Sequence, residues 1–157
     1  MKLLSDAAEY GLRAVVWLAE RPSESAKVRE IAEVTHAPAG YLIKVLQALA
    51  KAGILSAQRG SSGGFRLQRE PAQLSVLEVI NAIDPMERIR TCPLGMESHG
   101  AQLCPMHRQI DDAMAAIEAS FASSTILNLL TSPAASRPMR ETVTGVGPAL
   151  CVANQET

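Results

Sequence analysis

"REIAEVTHAPAGYLIKVLQALAKAGILSAQRGSSGGFRL", residues 29–67, carries three structural signals in succession. Its start continues a short helix from Lys27 to Val34 that turns Val28, Ile31 and Ala32 inward. "THAPAG" breaks that helix, and Pro38 suits the first turn of the next, where a missing N–H costs nothing. Leu42, Val45, Leu46 and Leu49 then form one apolar stripe from Ala39 to Ala52, with Gly53 as the C-terminal cap. The opposite face carries Gly40, Tyr41, Lys44, Gln47 and Lys51. Two short helices across a tight turn, the second with basic and polar groups outward, spell a helix-turn-helix. "ILSAQRG" and "GFRLQRE" read as short strands joined through "GSSG", a β-hairpin. A hairpin directly after such a helix is a wing. Arg59 at its bend suits a narrow minor groove, where negative potential is enhanced. The expected fold is mainly α with a small β-hairpin wing: a winged helix-turn-helix plus a long dimerisation helix.

Outward from this stretch, a first helix runs from Ser5 to Glu20, with Ala8, Leu12, Val15, Val16 and Ala19 at helical spacing and Ser5 as its cap. Arg21-Pro22-Ser23 ends it. Downstream, "LSVLEVINAID" makes a helix from Ser75 to about Ile83, with Ser75 and Glu78 at capping-box positions. From Pro105 to Phe121, Ile110, Met114, Ile117 and Phe121 recur at helical spacing, with Asp111, Asp112 and Glu118 outside. That stripe either folds back on its own domain or packs on the same helix of a second subunit. Helix-turn-helix proteins use two half-sites, which favours the homodimer. "TILNLL" adds a further short helical turn. The expected organisation is a DNA-binding winged helix over 1–84, a cysteine/histidine sensor loop over 85–107, a dimerisation helix region over 105–131 and a flexible tail over 132–157.

Hydrophobic residues make up 47% of the 157-residue chain and aromatics only 3%, so aliphatic side chains must fill the core. The net charge is −1, yet residues 27–69 hold Lys27, Arg29, Lys44, Lys51, Arg59, Arg66 and Arg69 against Glu30 and Glu33, a net +5. A local basic face on a near-neutral protein is what a sequence-specific duplex binder needs; a solvated structural face is the alternative. No apolar run approaches the roughly 18 residues that span a membrane. Asp6 and Glu9 interrupt the N-terminus, which does not read as a signal peptide, and three cysteines without a secretion signal point to a reducing cytoplasm. No nucleophile–base pair or phosphate loop is present, since "GSSGG" lacks the lysine, so an enzyme is not expected.

"CPLGMESHGAQLCPMH", residues 92–107, concentrates two of three cysteines and two of three histidines. Cys92, His99, Cys104 and His107 together suit zinc or an iron–sulfur cluster. "CPMH" sets sulfur and imidazole one turn apart where the long helix begins. The alternative is that the cysteines are small buried hydrophobes and the histidines are satisfied by backbone. Cys151 stands in the tail without an expected role.

"AEYGLRAVVWLA", then "YLIKVLQALAKAGIL" with the wing "RGSSGGFRL", then "LSVLEVINAID" and a cysteine loop, resembles the iron–sulfur-responsive winged-helix repressors, the superfamily of IscR and NsrR, over roughly residues 1–130. The resemblance implies a cytoplasmic homodimer on near-palindromic double-stranded DNA, with the state of a cluster setting affinity. It puts Tyr41 and Lys44 on the recognition helix and Arg59, Ser61 and Gly63 at the wing. Cys92, Cys104 and His107 fall at the places of cluster ligands, with Ser98 at the middle cysteine's place and His99 beside it. Glu9 matches a carboxylate supplied by the opposite subunit in some relatives, and His36 lies within a residue of a histidine used in one. A two-iron cluster with mixed ligands fits this set better than a four-iron one, with zinc as the alternative. The expected function is a transcriptional repressor. Lys27, Arg29, Lys51 and the helix N-termini would hold phosphates, and Tyr41, Lys44 and Gln47 would read base edges, with Gly40 and His36 as further DNA-binding candidates. The alternative is a protein-interaction module whose loop holds structural zinc or nothing.

Overall fold

The computed structural model describes residues 3–60, 63–96 and 102–133. The chain begins with α1 (Asp6–Ala19), whose N-cap Ser5 accepts a hydrogen bond from the Ala8 N–H, as its sequence position predicts. Ala14 through Ala19 are all buried, so this helix has no dry and wet faces in its last turns; the core surrounds it. Gly11 lies where any Cβ would strike the Ile83 side chain, which brings the two segments into close contact. Helices α2 (Val28–Thr35) and α3 (Ala39–Lys51) follow. Between them His36 takes a left-handed conformation, φ 51° and ψ 37°, its N–H directed at Ala32 O and Glu33 O. Only a few per cent of non-glycine residues do this, and here it ends α2 and reverses the chain within three residues. Pro38 stands at the N-cap of α3 with extended backbone, one position before the first turn expected for it, because the chain is still leaving the His36 turn. Gly53, φ 74°, follows the end of α3 as the cap its sequence predicts.

Strands β1 (Leu55–Gln58) and β2 (Gly64–Leu67) pair antiparallel, Leu55 opposite Leu67 and Ala57 opposite Phe65. Leu55, Phe65 and Leu67 face the core, while Arg66 faces out. A third contact joins this hairpin: Ala26 and Phe65 exchange both backbone hydrogen bonds, at 2.9 and 2.8 Å. The approach is close enough that a Cβ on Gly64 would collide with the Ala26 carbonyl. After a 3-10 turn (Pro71–Gln73), α4 (Val76–Asn81) opens with the expected Ser75–Glu78 capping box.

The long α5 (Pro105–Ser123), about 28 Å of helix, buries only His107 fully. Phe121 packs against the core, whereas Met106 and Ile110 stay exposed, so the predicted stripe is partly used within the subunit and partly left open. Helix α6 (Ile126–Thr131) starts with a second capping box, Thr125 with Asn128. Val76 N–H bonds Ser124 O and Ile126 N–H bonds Leu74 O, each at 2.9 Å, which latches α6 to the start of α4. Ile126 is fully buried in the same core as α1, so that core draws on residues beyond the expected boundary at 84. Of the expected tail, only Ser132 and Pro133 lie among the described residues. Among the described residues no helix is long and apolar enough to cross a membrane.

Gly64→Ala forces a methyl group into the Ala26 backbone and is expected to destabilise the protein by roughly 1–3 kcal/mol, read as a lowered thermal midpoint. Gly40→Ala, which meets nothing within 4 Å, is expected not to destabilise it.

Candidate nucleic-acid interface and cysteine loop

Helical periodicity sets the outward face of α3. Gly40, Lys44, Gln47 and Lys51 fall within about 60° of arc, and all four are exposed. Leu42, Val45, Leu46 and Leu49 occupy the far side and are buried. Lys27 and Arg29 at the start of α2, His36 in the turn and Arg59 at the end of β1 are exposed as well. Gly63 closes the hairpin's neck, where a Cβ would meet the Gln58 carbonyl; Ser61 lies outside the described residues.

Four of the described arginines are already occupied, while Arg90 and Arg108 make no ion pair among the described residues. Arg13, Arg21, Arg69 and Arg88 are each paired with an acid of the same fold: Glu9, Glu20, Glu78 and Asp111. Among the described residues Lys27, Arg29, Lys44, Lys51, Arg59 and Arg66 make no ion pair or side-chain hydrogen bond. Every cation of the chain between 27 and 66 therefore keeps its full capacity for an external anion.

Tyr41 stands on the flank of α3 that meets α1. It is 45% exposed, and its ring meets Tyr10 edge-on with centroids 6.2 Å apart and planes at 79°. The Arg13 guanidinium lies 5.8 Å from the Tyr10 centroid, bonds Glu9 Oε1 through Nε and Nη2, and donates through Nη1 to the Thr35 carbonyl at 3.2 Å. Tyr10 and Arg13 were not among the sequence candidates. The i,i+4 spacing of Glu9 and Arg13 is visible in the sequence, but the reach to Thr35 and Tyr41 is tertiary.

The segment between α4 and α5 is fastened at both ends. Met86 N–H bonds Asn81 Oδ1 at 3.0 Å, and Arg88 grips Asp111 with two 2.6 Å bonds while also reaching Glu118. Ile89 N–H adds a third bond to Asp111. The hydrogen bonds from Arg88 hold the Asp111 carboxyl below the usual aspartate range, with the Ile89 N–H acting in the same direction. Cys92 is buried just beyond, where the Gly95 N–H closes a turn onto its carbonyl. Cys104 caps the start of α5, and its Sγ lies 3.4 Å from Nδ1 of the buried His107.

Those last two donors fit a common metal. Tetrahedral zinc, with bonds of about 2.3 Å to sulfur and 2.0 Å to nitrogen, separates its ligands by about 3.5 Å. Neither Cys92 nor Cys104 is in a disulfide. Among the described residues no group of three or more histidine, cysteine or acidic side chains converges to hold an ion. His99 and Ser98 lie outside the described residues, and Glu9 is held by Arg13. Of the five expected ligands the structure thus brings Cys104 and His107 together within one chain.

The profile of the Rrf2 family, described as iron-dependent transcriptional regulators, matches residues 4–132. A relative from Aquifex aeolicus named as an HTH-type transcriptional regulator is 28% identical over 131 residues, covering 82% of this chain and 91% of its own. Among solved structures, IscR of T. potens aligns with a TM-score of 0.67 at 24% identity, over 83% of this chain and 86% of that one. CymR, the global cysteine regulator of B. subtilis, aligns with a TM-score of 0.66 at 21% identity, over 82% and 96%. Both likenesses concern the fold, the winged helix-turn-helix predicted from residues 29–67.

Because the folded-state Asp111 is more acidic than an unfolded one, its pairing with Arg88 stabilises the protein above the ordinary aspartate range near pH 3.9. That contribution is lost as pH falls through the lowered folded value. Asp111→Asn is therefore expected to lower the thermal midpoint at pH 7, with the difference from the parent chain shrinking as pH falls below the ordinary aspartate range, measured by melting across a pH series.

Proposed function

The chain belongs to the Rrf2 family of transcriptional regulators, and on that premise we propose that it acts as a dimeric repressor whose α3 and wing grip near-palindromic DNA. The observation that carries this reading is the run of six unpaired cations from Lys27 to Arg66, while Arg13, Arg21, Arg69 and Arg88 are spent on internal pairs. Lys27, Arg29 and Lys51 neutralise phosphates, and Gly40, Tyr41, Lys44 and Gln47 meet base edges in the major groove. His36 adds a contact at the turn, and Arg59, with Ser61 and Gly63, enters the minor groove at the wing. The open side of α5, with Met106 and Ile110, joins a second copy and sets two α3 helices about one helical turn of DNA apart, roughly 34 Å.

The fine reading of the loop follows from the Cys104–His107 pair. Cys92, Cys104 and His107, with His99 and, through the Oε2 that Arg13 does not bond, the second subunit's counterpart of Glu9, would hold a two-iron cluster or zinc. Such a group would supply a redox-sensitive or metal-sensitive tie at the start of α5. Arg88 and Ile89, a few residues ahead of Cys92, are tied to Asp111 of that helix. Because α5 is also the proposed dimer helix, loosening its first turn changes the spacing of the two α3 helices and weakens both half-sites together.

Binding of a selected duplex is expected to weaken steeply with salt, since each phosphate neutralised releases counterions. Lys27→Ala and Lys51→Ala are each expected to reduce the salt slope by about 1 unit across all sequences. Affinity insensitive to salt would favour a protein-interaction module instead. Anaerobically purified protein is expected to be coloured, with iron and sulfide in equal amounts; colourless protein carrying zinc selects the other metal. Protein with neither removes the sensor reading while leaving the DNA reading intact.

A further inference from the structure

Tyr10 and Arg13 belong to α1, outside the face assigned to DNA, yet they are bonded to both parts of the helix-turn-helix. We infer that they are positioning residues: they fix the ring of Tyr41 and the turn between α2 and α3, and through these set sequence preference without touching a base. This rests on the reading of α3 as the recognition helix.

Two arms leave the Arg13 guanidinium. One arm goes to the backbone. Nη1 holds the Thr35 carbonyl, in the last turn of α2, where the helix dipole favours a cation. Thr35 is fully buried and its hydroxyl donates to Ile31 O at 2.7 Å, so this anchor point is itself rigid. The next residue, His36, makes the left-handed turn that aims α3. Glu9 completes the arm by accepting two bonds from the same guanidinium and fixing its plane.

The other arm goes to a side chain. The Arg13 cation lies near the Tyr10 ring, and Tyr10 presents its ring to Tyr41 in edge geometry. A tyrosine on an exposed helix flank samples several rotamers, and freezing them on binding opposes affinity. Tyr10 removes part of that freedom in advance. Loss of Tyr10 or Arg13 therefore acts first on discrimination between sequences, since it removes no phosphate-binding side chain: Lys27, Arg29 and Lys51 bond neither residue.

The test uses the full chain and a random-sequence duplex pool. The parent chain selects a motif, and affinities for that duplex and a scrambled one are measured across a salt series. Arg13→Gln and Tyr10→Leu are each expected to lose about tenfold in preference for the selected duplex with the salt slope unchanged, and their own selections to relax at a subset of positions. Tyr10→Phe, which keeps the ring, is expected to retain the parent motif. Variants that keep the full preference overturn the inference, as do variants that weaken on both duplexes equally. A parent chain that enriches no motif overturns the assignment of α3 itself, and this inference with it.

Discussion

A helix buried on every side is stable only if something covers each side, and α1 imposes that demand on the rest of the chain. Its last six residues, Ala14–Ala19, are all buried, and α2, α3, α4, α6 and β2 all contact it. Small residues on α1 make the fit possible: Ala8 and Ala14 are fully buried, and Gly11 leaves the space that Ile83 fills. The outward direction of α3 is thus set by the inward direction of its leucines against a shared post. The same post carries Tyr10 and Arg13 on its remaining polar margin, which is why the helix that organises the core also reaches the turn and the flank of α3.

The near-zero net charge and the basic face are compatible because charges act over short distances. At physiological ionic strength the field of an exposed charge fades over about 8 Å, so acids on α5 and elsewhere do little to cancel cations at the wing. What matters locally is whether an arginine is already occupied. Arg88 is bound by two carboxylates and stays charged far beyond the working range of pH, serving architecture. Arg59 and Lys44 have no such partner among the described residues and are available to anions from outside.

Much of this was legible because the signals were local. The stripe Leu42–Leu49, the cap Gly53 and the Ser75–Glu78 box each lie within one or two turns of what they govern. The second capping box carries a weaker sequence signal because Asn128 takes the place usually held by Glu or Gln. The Ala26–Phe65 pairing has no periodic signature, since a single residue contributes to it. Tyr10, Arg13 and Tyr41 meet across thirty residues of chain, and spacing along a sequence does not encode such a meeting. At the cysteine loop, composition revealed a concentration of donors, but only the pair one helical turn apart could be placed together by local geometry.

The wing is commonly pictured as a flap, free to swing on its two strands. Here the mutual bonds between Ala26 and Phe65 rivet it to the residue just ahead of Lys27 and α2. The hairpin's placement is therefore fixed relative to the start of α2, so that wing and helix pair share one backbone joint.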